Sequence, residues 1–324
     1  MKLVTYEGPD GRALAGVLTE GDTRILPLSA KGHGGDVDLG SVQAIIEAGD
    51  SGLERVRQIA AEAEQADSLP YDSVRLLAPL PRPVQIRDAL CFLDHMRNAQ
   101  RAMVELMGGK PENAPPLNPR FSEVPLYYKA NRMCVVGPEE EIERPAGCNL
   151  LGYELELGIV VGRRGKDIPR ESARDHVFGY TIFNDVSARD LQAKEMPAGL
   201  GPAKGKDFDT GNVFGPCIVT SDELDPDDLT MIARLNGEEI SRGSTRQMDH
   251  KVDDLVSYIS QAETIYPGEV FGSGTVPLGC LLEHKRFLAD GDLIELEIEG
   301  IGVLRNRIVK TGGRSQLLRA LPSD

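Results

Sequence analysis

"LGYELELGIVVG", residues 151–162, is apolar enough for a buried strand yet carries two glutamates, Glu154 and Glu156. Side chains on a strand alternate between its faces, with a rise of about 3.3 Å per residue. Leu151, Tyr153, Leu155, Leu157, Ile159 and Val161 therefore share one face, and Gly152, Glu154, Glu156, Gly158 and Val160 share the other. The two carboxylates stand about 7 Å apart along the strand and repel each other. Either that face looks at water, where repulsion is cheap, or a cation sits between the glutamates. Buried without a cation, the pair would be costly.

Downstream of this strand the chain continues as short strands and glycine-rich turns: "FGYTIFNDVS" (178–187), "VFGPCIVT" (213–220), "LTMIARLNG" (229–237) and "DLIELEIEGIGVLRNRIV" (292–309). Helical patterns interrupt near "ESARDH" (171–176) and "VDDLVSYISQA" (252–262). Upstream, "QIRDALCFLDHMRNAQRAMVELMGG" (85–109) is a strand end running into a helix, and "KPENAPPLNPRFSEVP" (110–125) is a Pro- and Asn-rich loop. Residues 1 to about 30 alternate as short strands, and "SVQAIIEAGDSGLERVRQIAAEAEQ" (41–65) has helical spacing broken at Gly49–Gly52. A Pro-rich stretch, "DSLPYDSVRLLAPLPRP" (67–83), marks a boundary near residue 75. The expectation is an α+β chain dominated by antiparallel or mixed sheet, with a small N-terminal domain (1–75) and a larger domain (76–324).

The chain has 324 residues, 40% hydrophobic and 27% charged, which is ordinary globular composition with room for two domains. No run of eighteen apolar residues suggests a membrane span, and the N-terminus lacks the apolar core of a signal peptide. Five cysteines with no CxxC pair point to a reducing cytoplasm and away from a zinc site or disulfide framework. A formal charge of −15 argues against nucleic acid as a partner.

Four segments carry candidate chemistry. Asp185, at the end of "GYTIFND", and Asp88, in "QIRDAL", join Glu154 and Glu156 as oxygen donors that suit Mg²⁺, Mn²⁺ or Ca²⁺ rather than Zn²⁺ or Cu²⁺. By itself Asp185 also fits a turn or helix cap. Arg189 and Gln192, three apart, would share a helix face and could bond a carbonyl or a forming oxyanion, or simply face solvent. "GLGPAKGKDFDTGNVFGP" (199–216) lacks the GxxxxGK[ST] pattern of a P-loop, but its glycines allow close backbone approach and Lys206 supplies a point charge. Of the five histidines (33, 95, 176, 250 and 284), His95 lies seven residues beyond Asp88 and is the natural general base if a carboxylate orients it; Glu283 is a candidate orienter.

Taken in order, "YELELGIVVG", "FGYTIFNDVSARDLQ", "GLGPAKGKDFDT", "GSGTVPLGCLLE" and "LADGDLIELEIEGIG" resemble the fumarylacetoacetate hydrolase family over residues 85 to about 310. "RDALCFLDH" (87–95) is similar to the family segment in which an aspartate ligand and a histidine base lie seven residues apart. The resemblance implies a β-rich roll of mixed strands with a smaller N-terminal domain, usually a homodimer. It implies that Asp88, Glu154, Glu156 and Asp185 bind Mg²⁺, with Mn²⁺ or Ca²⁺ as alternatives. It implies that His95 and Glu283 activate a water, and that Arg189, Gln192 and Lys206 stabilise an oxyanion and touch substrate. Tyr128, with Tyr127 as the alternative, and Thr275 match substrate positions, and Lys206 and Thr210 match positions near the metal. Two departures stand out. Leu90 replaces a common tyrosine, which points away from fumarylacetoacetate itself as substrate. Asn98 stands where shorter members have a glutamate partner for the histidine, so the partner must come from Glu283 or be absent.

The resemblance thus implies a metal-dependent hydrolase cleaving a C–C bond in a 1,3-diketone or acylpyruvate-type keto acid, in aromatic-compound or keto-acid breakdown. The alternative on the same site is a decarboxylase, isomerase or hydratase of an oxaloacetate-like keto-enol acid. A second alternative is a non-catalytic metal- or metabolite-binding protein.

Overall fold

The computed structural model describes residues 1–28 and 37–311; His33 and the 312–324 end of the expected larger domain lie outside the described residues. Strands β1 (Lys2–Glu7), β2 (Ala13–Thr19) and β3 (Arg24–Pro27) form an antiparallel meander. Helix α1 (Val42–Glu62) follows, capped by the Ser41 side chain, which accepts from the Ala44 N–H at 3.1 Å. Gly49, at φ 60°, breaks it within the sequence-predicted interval, because glycine takes that conformation without a Cβ penalty.

β4 (Ile86–Ala89) leads into α2 (Leu93–Leu106), whose first N–H is accepted by Asp249 at 2.8 Å. β5 (Tyr127–Ala130), β6 (Leu155–Val161), β7 (Val177–Asp185), β8 (Asn212–Thr220) and β9 (Val270–Gly272) join these in a large mixed sheet whose longer strands are ordered β3-β2-β1-β8-β7-β6-β9-β4-β5, with three two-residue strands added along it. β9 runs parallel to β4, and the other neighbours in this order are antiparallel. The N-terminal meander thus extends the same sheet through the antiparallel pairing of β1 with β8. A second sheet is built from Glu238–Ser244, Thr230–Leu235, Leu293–Ile298, Gly302–Val309 and Glu141–Glu143, in that order.

Every residue of β6 is buried. Leu155, Leu157, Ile159 and Val161 pack into one apolar core, while Val160 packs into a second with Phe178, Phe183 and Phe214. Both faces of the central sheet are therefore covered, and the period of two separates two cores rather than core from water. Glu154 and Glu156 are 5% and 1% exposed, so the solvent-facing reading of their face does not hold.

Candidate active site

The carboxylates meet across four adjacent strands. Glu156 lies on β6, Asp185 ends β7 beside it, and Asp88 lies on β4, two strands from β6 on its other side. Between β6 and β4 runs β9, and Gly272 of β9 pairs with Asp88. A Cβ at Gly272 would fall 2.3 Å from Asp88 Oδ1 and 2.7 Å from Glu156 Oε2. The missing side chain is what lets carboxylates from non-adjacent strands close over the sheet. One oxygen each of Asp88, Glu156 and Asp185 lies within 4.8 Å of the others, and all three residues are buried.

This group is proton-hungry. Burial, then the Asp185 charge, pushes Asp88 well above the usual carboxylate range. Burial, then Asp88, does the same to Glu156. Burial raises Asp185 too, against the opposing pull of Lys206. Asp88 Oδ1 and Asp185 Oδ1 are buried without a hydrogen-bond partner among the described residues. An all-oxygen set, two orphaned acceptors and a cradle kept open by glycine fit a hard divalent cation.

Glu154 turns elsewhere. Its Oε1 accepts from Arg189 and its Oε2 from Lys206, whose ammonium also reaches Asp185 Oδ2. Burial would raise the Glu154 carboxyl, but the Arg189 and Lys206 charges outweigh it and hold it far below its usual range. Of the four oxygen donors expected from sequence, three form the compact group and Glu154 bridges it to two cations. Lys206 is itself held charged: burial works against its ammonium, and Asp185 and Glu154 more than offset that. Lys206→Met leaves two buried carboxylates short of a counter-ion. We expect a loss of about 3–5 kcal/mol in the stability of the metal-free chain, read by denaturant unfolding. An unchanged midpoint would mean that Lys206 is not a structural counter-ion.

His95 lies in the first turn of α2, which brings it over the carboxylates. Its Nδ1 is 2.8 Å from Glu283 Oε1, and its Nε2 is 3.7 Å from Glu154 Oε1. Glu283 Oε2 accepts the Leu278 N–H at 3.0 Å, so the carboxylate is fixed at both oxygens. The pairing expected from the sequence is therefore present in space, across 188 residues of chain. Arg189 NH1 donates to Gln192 Oε1 at 3.0 Å across one turn of α3 (Arg189–Glu195), and its Nε has no partner among the described residues.

Tyr128, not Tyr127, reaches the carboxylates: its hydroxyl donates to Asp185 Oδ2 at 2.8 Å, whereas the Tyr127 hydroxyl lies 3.3 Å from Glu263. Alternation along β5 sends the neighbours to opposite faces. Thr275 Oγ1 is 3.3 Å from Glu156 Oε1, and the Gly274 N–H donates to Glu156 Oε2 at 3.0 Å. The Thr210 hydroxyl bonds the Glu143 backbone instead of the carboxylates. The sequence motifs assign no role to Gly272 and Gly274. The "GSGT" run was the available signal, since clustered glycine at a strand end marks close approach. Gly272→Ala fills the cradle, and we expect at least a tenfold loss of Mg²⁺ affinity by calorimetry with the fold retained.

A family model described as Fumarylacetoacetate (FAA) hydrolase C-terminal matches residues 85–309. The human protein named oxaloacetate tautomerase FAHD2A, mitochondrial, is 35% identical over 270 residues, covering 82% of this chain and 78% of the human one. Its bovine counterpart of the same name is 33% identical over 323 residues, covering 95% and 92%. Among solved structures, a fumarylacetoacetate hydrolase from psychrophilic Exiguobacterium antarcticum superposes with a TM-score of 0.73 at 32% identity, over 96% of this chain and 99% of that one. A 5-carboxymethyl-2-hydroxymuconate delta-isomerase from Mycobacterium smegmatis gives 0.69 at 28%, over 96% and 100%. With the family model matching most of the chain and these relatives aligned along most of its length, the chain belongs to the fumarylacetoacetate hydrolase family.

Proposed function

We propose that this enzyme tautomerises an oxaloacetate-type keto-enol acid at a divalent cation held by Asp88, Glu156 and Asp185. The observation that carries the reading is the His95–Glu283 pair beside the carboxylate group. Glu283 engages Nδ1, which leaves Nε2 as the nitrogen free to take a proton. Keto–enol conversion moves one proton from carbon to oxygen and consumes nothing else. A single imidazole can take the proton from the carbon next to the ketone and return it to the ketone oxygen. While it is charged, Glu283 and Glu154 balance it. When bound, a divalent cation supplies Lewis acidity toward the keto-acid oxygens. In this reading Arg189 and Gln192, bonded to each other at 3.0 Å, orient a carboxylate of the substrate. The relatives named as oxaloacetate tautomerases support this choice of substrate and of reaction over the hydrolysis expected from the resemblance.

Hydrolysis of an acylpyruvate is the second reading, favoured by the same pair, because a carboxylate-oriented imidazole can equally activate water. Proton NMR in D₂O with Mg²⁺ separates the two. With oxaloacetate, a tautomerase accelerates deuterium entry at the methylene carbon above the protein-free rate and leaves the skeleton intact. Acceleration of pyruvate formation would indicate a decarboxylase. With acetylpyruvate, a hydrolase releases acetate and pyruvate. Metal binding with neither outcome would leave a binding protein. A homodimer in a reducing compartment belongs to the same reading; sedimentation of the purified chain tests the first part. All five cysteines are free and buried, and no helix among the described residues is long and apolar enough to cross a membrane.

A further inference from the structure

Beside the all-oxygen group lies a second cluster of different chemistry. His95, Cys280 and Glu283 each offer a donor atom within 4.8 Å of the others. Cys280 is fully buried, and nothing in the proposed reaction uses it. An imidazole, a thiol and a carboxylate form a borderline-soft set, which selects Zn²⁺ or Cd²⁺ over Mg²⁺. We propose that His95, Cys280 and Glu283 form a second, inhibitory site for a thiophilic divalent ion, distinct from the carboxylate group and built around the catalytic base.

The charges permit it. A thiolate and the Glu283 carboxylate together neutralise a divalent ion. Arg189 NH2 lies 3.1 Å from Cys280 Sγ, but that guanidinium already pairs with Glu154. Binding exchanges the Cys280 thiol proton for the ion, and the proton leaves to water. Burial holds the thiol up at about 12, so Mg²⁺, with little affinity for sulfur, cannot make that exchange. Either mode of binding to His95 removes the base. At Nε2 the ion takes the accepting lone pair, and at Nδ1 it transfers the ring proton to Nε2. The inhibition therefore rests on the role proposed for His95, whereas the binding does not.

The test is titration of Cd²⁺ into the full chain in saturating Mg²⁺, following the Cd–thiolate ultraviolet band together with turnover. Wild type should show one band per chain with parallel loss of activity, reversed by a chelator. Cys280→Ala should lack that band and require at least tenfold more Cd²⁺ for inhibition; Cys280→Ser serves if the alanine variant is unstable. His95→Asn, read by the band alone, should bind Cd²⁺ at least tenfold more weakly. The same Cd²⁺ sensitivity in wild type and Cys280→Ala would place the inhibition at the carboxylate group and overturn the site. A Cys280-dependent band without inhibition would preserve the site and overturn the role given to His95.

Discussion

His95→Asn lowers kcat by about 10²–10⁴-fold, the usual range for a lost general base, while Mg²⁺ affinity measured by calorimetry stays within about threefold. The two readouts separate because His95 is outside the oxygen group: its contacts are Glu283 at 2.8 Å and Glu154 at 3.7 Å. Asparagine keeps a polar group facing Glu283, so the carboxylate is not left buried and alone. Glu283→Gln keeps the shape and exchanges an acceptor for an amide. It frees the imidazole to place its proton on Nε2, where it cannot act as a base, and kcat falls again. The double variant should be about as slow as His95→Asn alone, since the two residues act as one unit. Additive losses would mean that Glu283 works separately from His95. Full turnover in His95→Asn would remove the imidazole from the mechanism and leave a reaction that needs no protein base.

The chain order of motifs singles out Asp88, His95, Glu154, Glu156, Asp185, Arg189, Lys206 and Glu283 as candidates, and the fold brings their side chains together. Local patterning carried the elements well: β6, β7 and β8 are apolar runs bounded by glycine or polar turns, and α1 breaks at the glycine where its spacing breaks. Three things could not be seen in one dimension. Whether the glutamate face was wet depended on what covers the sheet, and Val160 alone gave no sign of a second core. The partition of Glu154 from the other three carboxylates depends on where Arg189 and Lys206 end up, and "GPAKGKD" has no period that predicts a buried lysine. The choice between Tyr127 and Tyr128 needed the register of β5 on β4, which pairs Tyr128 with Asp88. The reaction itself is the least legible part, because tautomerase and hydrolase call for the same donors and differ in whether a water is admitted.

Asp88→Asn should make the metal-free chain more stable and the Mg²⁺-loaded chain less so. Asp88 Oδ1 is a buried acceptor without a partner, a condition that costs about 1–3 kcal/mol. An amide there removes one negative charge and can donate to Glu156 or Asp185, so the metal-free variant gains within that range in denaturant unfolding. The pH dependence has a fixed sign. Asp88 and Glu156 bind protons more tightly folded than unfolded, chiefly through burial. Their contribution to stability is complete below the unfolded carboxylate range, about pH 4, and is lost as pH rises through their raised folded values. Metal-free wild type therefore weakens as pH climbs from about 4 toward neutrality, and Asp88→Asn weakens less. Mg²⁺ reverses the order, because it stabilises the folded chain in proportion to its occupancy and wild type retains the full oxygen set. At neutral pH, saturating Mg²⁺ should raise the unfolding midpoint of wild type clearly and that of the variant little, with turnover in the variant at least a hundredfold down. If Asp88→Asn were instead the less stable chain without metal, and responded to Mg²⁺ as wild type does, the three carboxylates would be a structural hydrogen-bond cluster and not a cation site.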